Sequence, residues 1–121
     1  MNKFTCIRQE ADQELIHEGK NLIESLQPFF HEKAKVFNLL GNEVRLQIML
    51  LLHADKRLCV CDMSDILSMN VSAISQHLRK LKDGGLVISN REAQTIYYSI
   101  TPIHHEMFTE LFHQLLKPAE K

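Results

Sequence analysis

Apolar residues recur at helical spacing along most of this chain, and the interruptions are as informative as the stripes. Residues 9–27 carry Leu15, Ile16, Leu22, Ile23 and Leu26 on one face and mostly Glu, Gln, Asp and Lys on the other. That pattern predicts an amphipathic helix, with Pro28 ending the run. Phe30, Ala34, Phe37 and Leu40 predict a second helix that stops at Gly41, a residue type suited to the position just past a helix C-terminus. Asn42 then caps a third helix from Glu43 to His53, in which Val44, Ile48, Leu51 and Leu52 form one stripe. Leu46, Met49 and Leu50 widen it, which predicts the most buried helix of the domain.

The rhythm then shortens. Asp62 is read as the cap of a short helix over 62–67, Ser68-Met69-Asn70 as a turn, and Asn70 as the cap of a helix from Val71 to about Asp83. Two helices joined by a three-residue turn make residues 62–83 a helix-turn-helix. In its second helix Ile74, Leu78 and Leu81 face inward, and Ser72, Ser75, Gln76, Arg79, Lys80 and Lys82 face largely outward until Gly84-Gly85 stops the run. Leu86–Ser89 and Thr95–Ile100 are β-branched and aromatic around the polar stretch 90–94, so residues 86–100 read as a β-hairpin wing. A last helix from about Ile103 to Leu116 carries Phe108, Leu111, Phe112 and Leu115, and Pro118 closes it.

The expected fold is therefore mainly α with a β-hairpin wing: a single winged helix-turn-helix domain over residues 1–121. Residues 1–8 read as a mobile arm. The apolar faces of 9–27 and 103–117 exceed what a small winged unit can cover alone, so both are expected to serve as homodimerisation helices.

Composition narrows the function. A chain of 121 residues with 45% hydrophobic and 24% charged residues is one ordinary globular domain. The longest apolar run, Leu46–Leu52, is broken by Gln47, and the N-terminus has no apolar core of signal-peptide length. The expectation is a cytoplasmic protein without a membrane partner, whose three cysteines stay reduced. A net charge of −1 argues against whole-surface nucleic-acid binding. The charge is uneven, however: Arg79, Lys80, Lys82 and Arg91 face the single acid Asp83 between residues 72 and 91. Double-stranded DNA is the partner this surface predicts, with Ser72, Ser75 and Gln76 reaching base edges and Arg79, Lys80 and Arg91 meeting phosphates or guanine. His77, beside the inward Leu78, is expected to pack or to meet a phosphate rather than ligate metal. No nucleophile–base pair, phosphate-binding glycine run or catalytic carboxylate pair is present, so neither an enzyme nor a small organic substrate is expected.

The remaining chemistry lies in Leu58-Cys59-Val60-Cys61-Asp62. Two cysteines one residue apart at the start of a helix favour the thiolate form. Such a pair is open to a soft metal or to an oxidant, the latter giving a redox-sensing repressor through sulfenate or disulfide at the same residues. A Cys-x-Cys disulfide closes a strained small ring, which weakens the redox alternative.

Three runs together, Gly41-Asn42-Glu43-Val44-Arg45-Leu46-Gln47-Ile48, Leu58-Cys59-Val60-Cys61-Asp62-Met63 and Val71-Ser72-Ala73-Ile74-Ser75-Gln76-His77-Leu78-Arg79-Lys80-Leu81, resemble the ArsR/SmtB family of winged-helix, metal-sensing transcriptional repressors. The likeness covers about residues 30–117. It implies a homodimer on a pseudo-palindromic operator, whose DNA binding weakens when metal binds, derepressing efflux or detoxification genes.

The Cys-Val-Cys-Asp run is similar to the thiolate site of the cadmium/lead and arsenic branches. In the cadmium/lead branch, cysteines of one subunit's N-terminal arm join the pair of the other, which implies Cys59, Cys61 and Cys6 as the metal residues here. In the arsenic branch a third cysteine follows closely, where this chain has Ser64. Three sulfurs suit lead, mercury, trivalent arsenic or antimony, or cadmium with an added oxygen. Ser68 stands where the family's turn usually has glycine. The zinc branch's site on the last helix is degenerate: His104 matches its first His, but Pro102, Leu115 and Pro118 replace the other ligands. His105, His113 and Glu110 leave a nonstandard site open there.

Overall fold

The structure, a computed structural model, describes residues 7–117. It divides into two compact units, one ending at Lys33 and the other beginning at Ala34. The first contains helix α1 (Gln13–Ser25), and helix α2 (Gln27–Leu40) begins in it. The Asp12 carboxylate accepts the Leu15 N–H at 3.0 Å, so α1 starts at Gln13 rather than at residue 9. Pro28 does not end α1, which stops at Ser25; it lies in the first turn of α2. There the N–H that proline lacks would have had no intrahelical partner. No residue of α1 is buried.

The second unit contains the rest of α2, then α3 (Glu43–Asp55), strand β1 (Leu58–Cys59), α4 (Val60–Leu67), α5 (Val71–Asp83), strands β2 (Val87–Glu92) and β3 (Thr95–Ile100), a 3-10 turn at Pro102–His104, and α6 (His105–Leu116). Pro118 lies outside the described residues. Asn42 caps α3 as expected, accepting the Arg45 N–H at 3.0 Å. Of the third helix's broad stripe, Ile48, Met49 and Leu52 reach the core, while Leu46 stays 36% exposed. The stripe expected on α2 is displaced: Val36 and Leu40 are buried, whereas Phe37 is 66% exposed. Val36, Leu39 and Leu40 share the side of α2 that packs on the core, and Phe37 lies on another.

The core is wholly apolar and draws on every helix from α2 to α6 and on the sheet. Ile48, Met63, Ile74, Leu78, Leu81 and Phe108 are each 0% exposed. Gly84 marks one close approach, since a Cβ there would lie 2.2 Å from Leu39 Cδ1. Gly85 takes φ +81°, a conformation glycine adopts without steric cost, as the chain leaves α5 for the wing.

The sheet is antiparallel with order β1-β3-β2. The hairpin is longer than its apolar residues suggest: pairing continues through Arg91↔Ile96 and Glu92↔Thr95, and Ala93, at φ 58°, turns the chain. The short strand β1, pairing Leu58↔Tyr98 and Cys59↔Tyr97, has no counterpart in the sequence-based expectation. Two residues are too few to show a strand period.

Candidate nucleic-acid interface and thiolate pair

Helix α5, expected to face DNA, is held at both ends. At its start, the Asn70 side chain accepts the Ala73 N–H at 2.8 Å. The preceding turn depends on Ser68, left-handed at φ 55° and ψ 43°, whose N–H bonds to Ser64 O. The Ser64 hydroxyl in turn donates to Met69 O. At its far end, Lys82 Nζ donates to Ser89 Oγ of β2 at 2.8 Å, which fixes the wing against α5. Between these anchors Ile74, Leu78 and Leu81 are buried, and Ser72, Ser75, Gln76, Arg79 and Lys80 are all exposed. Arg91, also exposed, sits near the tip of β2. The residues expected to read DNA thus occupy one helix and the adjoining wing.

His77 lies at the border of the two faces. Its Nδ1 is 3.4 Å from Arg45 Nη1, and Arg45 Nε donates to Leu39 O at 2.6 Å. A guanidinium can only donate, so His77 Nδ1 accepts and the ring is neutral with its proton on Nε2. Partial burial, followed by the nearby cations of Arg45 and Lys80, lowers its pKa below the ordinary 6.5. His77 therefore joins α5 to α3 and α2, the packing role of the two expected for it.

Cys59 ends β1 and caps α4; Cys61 lies in the first turn of that helix. Cys59 is half-buried, Cys61 exposed, and both are free thiols. Asp62 is not the cap. It sits three residues into the helix, where its Oδ2 receives the Cys59 N–H at 3.4 Å. Strand pairing with Tyr97 holds Cys59 extended, so the helix begins immediately after it, two residues earlier than expected. Cys6 and most of the arm proposed for residues 1–8 lie outside the described residues. Among the described residues, no three His, Cys, Asp or Glu side chains come together as a metal-holding group. The donor set here is two sulfurs, which fits a soft ion provided that further donors come from elsewhere.

The model of a bacterial regulatory protein family, arsR, matches residues 42–89, from the cap of α3 into β2. The transcriptional activator HlyU of Vibrio cholerae serotype O1 is 39% identical over 100 residues, spanning 80% of this chain and 92% of its own. The chain belongs to the ArsR/SmtB family. A cadmium resistance transcriptional regulatory protein CadC homolog from Staphylococcus aureus is 29% identical over 110 residues, 91% of this chain and 89% of that one. Reduced HlyU from Vibrio cholerae N16961 matches the fold with a TM-score of 0.70 at 32% identity, over 78% of this chain and 99% of its own. A homodimeric winged helix-turn-helix DNA-binding domain from Mycobacterium bovis gives a TM-score of 0.64 at 26% identity, over 90% of this chain and 89% of its own.

This member of the ArsR/SmtB family is thus a transcriptional regulator with a winged helix-turn-helix DNA-binding fold. Among the described residues, no helix is long and apolar enough to cross a membrane. On its last helix, His105 uses Nε2 on Ile100 O at 3.2 Å, and His104, His105, Glu110 and His113 form no metal-holding group among the described residues. One cluster escaped the sequence entirely. The Arg57 guanidinium lies 3.9 Å over the Tyr97 ring, and its Nη1 is 2.5 Å from Glu92 Oε2. These three residues lie on three different stretches, and only the register of the sheet brings them together.

Proposed function

We propose that this regulator is a metal-responsive repressor that binds operator DNA as a homodimer and releases it when a soft heavy-metal ion is held by cysteine thiolates. The observation that carries the reading is the position of Cys59 and Cys61. Two free cysteines, one half-buried and one exposed, sit at the start of α4, the first helix of the DNA-reading pair. Cys59, Cys61 and Cys6 would hold the ion, and sulfur ligation favours lead, cadmium, mercury or trivalent arsenic or antimony over harder ions. The CadC and arsenical-resistance names among the relatives support the same choice.

Operator contact falls to Ser72, Ser75 and Gln76 at base edges and to Arg79, Lys80 and Arg91 at phosphates or guanine. Dimerisation falls to α1 and α6. Leu15 and Leu22 on α1 are 65% and 60% exposed, and Leu115 on α6 is 69% exposed, surfaces that a second copy would cover. The homodimeric relative supports dimerisation.

The test is a metal-by-metal titration of binding to a duplex selected by the metal-free protein, with Cys6→Ser, Cys59→Ser and Cys61→Ser in parallel. The expected result is loss of DNA affinity with stoichiometric metal, abolished in the Cys59 and Cys61 variants. Equal affinity with and without bound metal would overturn the reading. A second reading, redox sensing by the same thiols, is favoured by the exposure of Cys61 and by the likeness to reduced HlyU. DNA binding that responds to peroxide, with no thiolate-to-metal absorption, would select it.

A further inference from the structure

We propose that Arg57 is a charge clamp that reports the state of the thiolate pair to the DNA-facing wing, an inference that rests on the thiolate reading above. Arg57 precedes Cys59 by two residues and adjoins β1. Its guanidinium covers Tyr97, the residue paired with Cys59 across β1 and β3. It then reaches Glu92 of β2. Since the sheet runs β1-β3-β2, this one side chain crosses from the cysteine-bearing edge to the far strand.

Glu92 is what makes that crossing consequential. It is the last residue of β2, next to Arg91, and pairs with Thr95 at the tip of the wing. Successive strand residues face opposite sides of a sheet, so Glu92 and Arg91 lie on opposite faces of β2. At a hairpin tip both faces are close to an approaching duplex, and a free carboxylate there opposes binding to phosphates unless it is neutralised. The Arg57 guanidinium supplies that neutralisation at a distance of 2.5 Å, and the Tyr97 face holds the cation in place.

Cys59 and Arg57 share one short backbone stretch whose pairing with β3 sets where the guanidinium lies. Metal ligation at Cys59 and Cys61 that shifts this stretch withdraws Arg57 from Glu92. The wing tip then presents an uncompensated negative charge, and affinity for DNA falls. The wing answers to the cysteines through β1, separately from any movement of α4 against α5.

The experiment measures binding of a fluorescent duplex, selected from a random pool by the metal-free protein, to wild type, Arg57→Gln, Glu92→Gln and the double variant. Each is measured with and without cadmium ion, whose occupancy is followed by thiolate-to-cadmium absorption. Without cadmium, Arg57→Gln should bind about fivefold more weakly than wild type, and adding Glu92→Gln should restore the affinity to within about twofold. With cadmium, wild type should lose affinity, and Glu92→Gln should lose several-fold less at the same absorption. An Arg57→Gln protein that binds normally, or whose defect persists in the double variant, overturns the clamp, the latter because Arg57 would then touch DNA itself. A Glu92→Gln protein that responds to cadmium as fully as wild type overturns the link to the cysteines. Absence of the absorption band in wild type overturns the cadmium-thiolate reading and with it that link, whereas the metal-free comparison still decides the clamp.

Discussion

Helices α5 and α6 are nearly the same length, 13 and 12 residues, and both are amphipathic. Their outer faces differ in kind. α5 buries Ile74, Leu78 and Leu81 completely and turns serines, an amide and cations outward. α6 buries Phe108 and Phe112, yet leaves Leu111, Leu115 and Leu116 at 45%, 69% and 51% exposure. Leu111 and Leu115, with Leu46 and Leu50 of α3, line an apolar groove of about 330 Å³. The outer face of α5 is complete as it stands and suits a polar, charged partner. That of α6 is a second apolar face left uncovered among the described residues, which suits another copy.

The most disruptive way to break this contrast is to remove the packing both helices share. Phe108→Ala should cost about 3–5 kcal/mol, read as a lower urea midpoint, because Phe108 is fully buried and stacks on Phe112 with ring centroids 5.9 Å apart. A loss below about 1 kcal/mol would mean that α6 does not share the core of α5. Leu115→Lys addresses the outer face alone. It should raise the dimer dissociation constant by about 10–100-fold in sedimentation, with little effect on monomer stability because Leu115 is already exposed. An unchanged dimer would move the interface elsewhere. Arg79→Ala should weaken DNA binding about tenfold and flatten its salt dependence, leaving the oligomer intact. Unchanged affinity would remove Arg79 from the interface.

The contrast between these helices was readable in the sequence to different depths. The span and both caps of α5 followed from Asn70, the 74–78–81 stripe and Gly84-Gly85, because they are local signals. The exposure of Ser72, Ser75, Gln76, Arg79 and Lys80 followed from the same period. The surplus apolar face of α6 was visible too, since Leu111 and Leu115 fall beside Phe108 and Phe112. The Phe37 face of α2 was misread because tertiary packing, not spacing, selects which of two adjacent apolar stripes goes inward. Strand β1, the early start of α4 and the Arg57–Tyr97–Glu92 cluster depend on pairing across some 40 residues, for which one sequence holds no local signal.

The turn that delivers α5 offers a smaller effect. Ser68 occupies the left-handed region at φ 55°, so the expected conformational cost of serine in a position usually held by glycine is present. Ser68→Gly should stabilise the fold by up to about 1 kcal/mol, partly offset by the greater freedom of glycine in the unfolded chain. Destabilisation on denaturant unfolding would mean that the Ser68 side chain makes a contribution larger than the strain.

The smallest effect sits on the boundary between the two faces of α5. His77 accepts from Arg45 through Nδ1, so protonation there would replace a hydrogen bond with two adjacent cations. Its pKa is below 6.5 in the folded chain, chiefly through burial and then through Arg45 and Lys80. The unfolded state therefore binds the proton more readily. Well above 6.5 both states are neutral and His77 adds no pH dependence; as pH falls through 6.5 toward the folded pKa, stability drops, levelling off below it. His77→Gln keeps an acceptor for Arg45 without a titrating ring. Urea midpoints measured between about pH 7.5 and about pH 5 should thus fall less steeply in the variant than in wild type. The difference between the two curves isolates His77 from the chain's six other histidines. Parallel curves would mean that this contact is too open to solvent to tie the reading helix to α3 through a neutral ring.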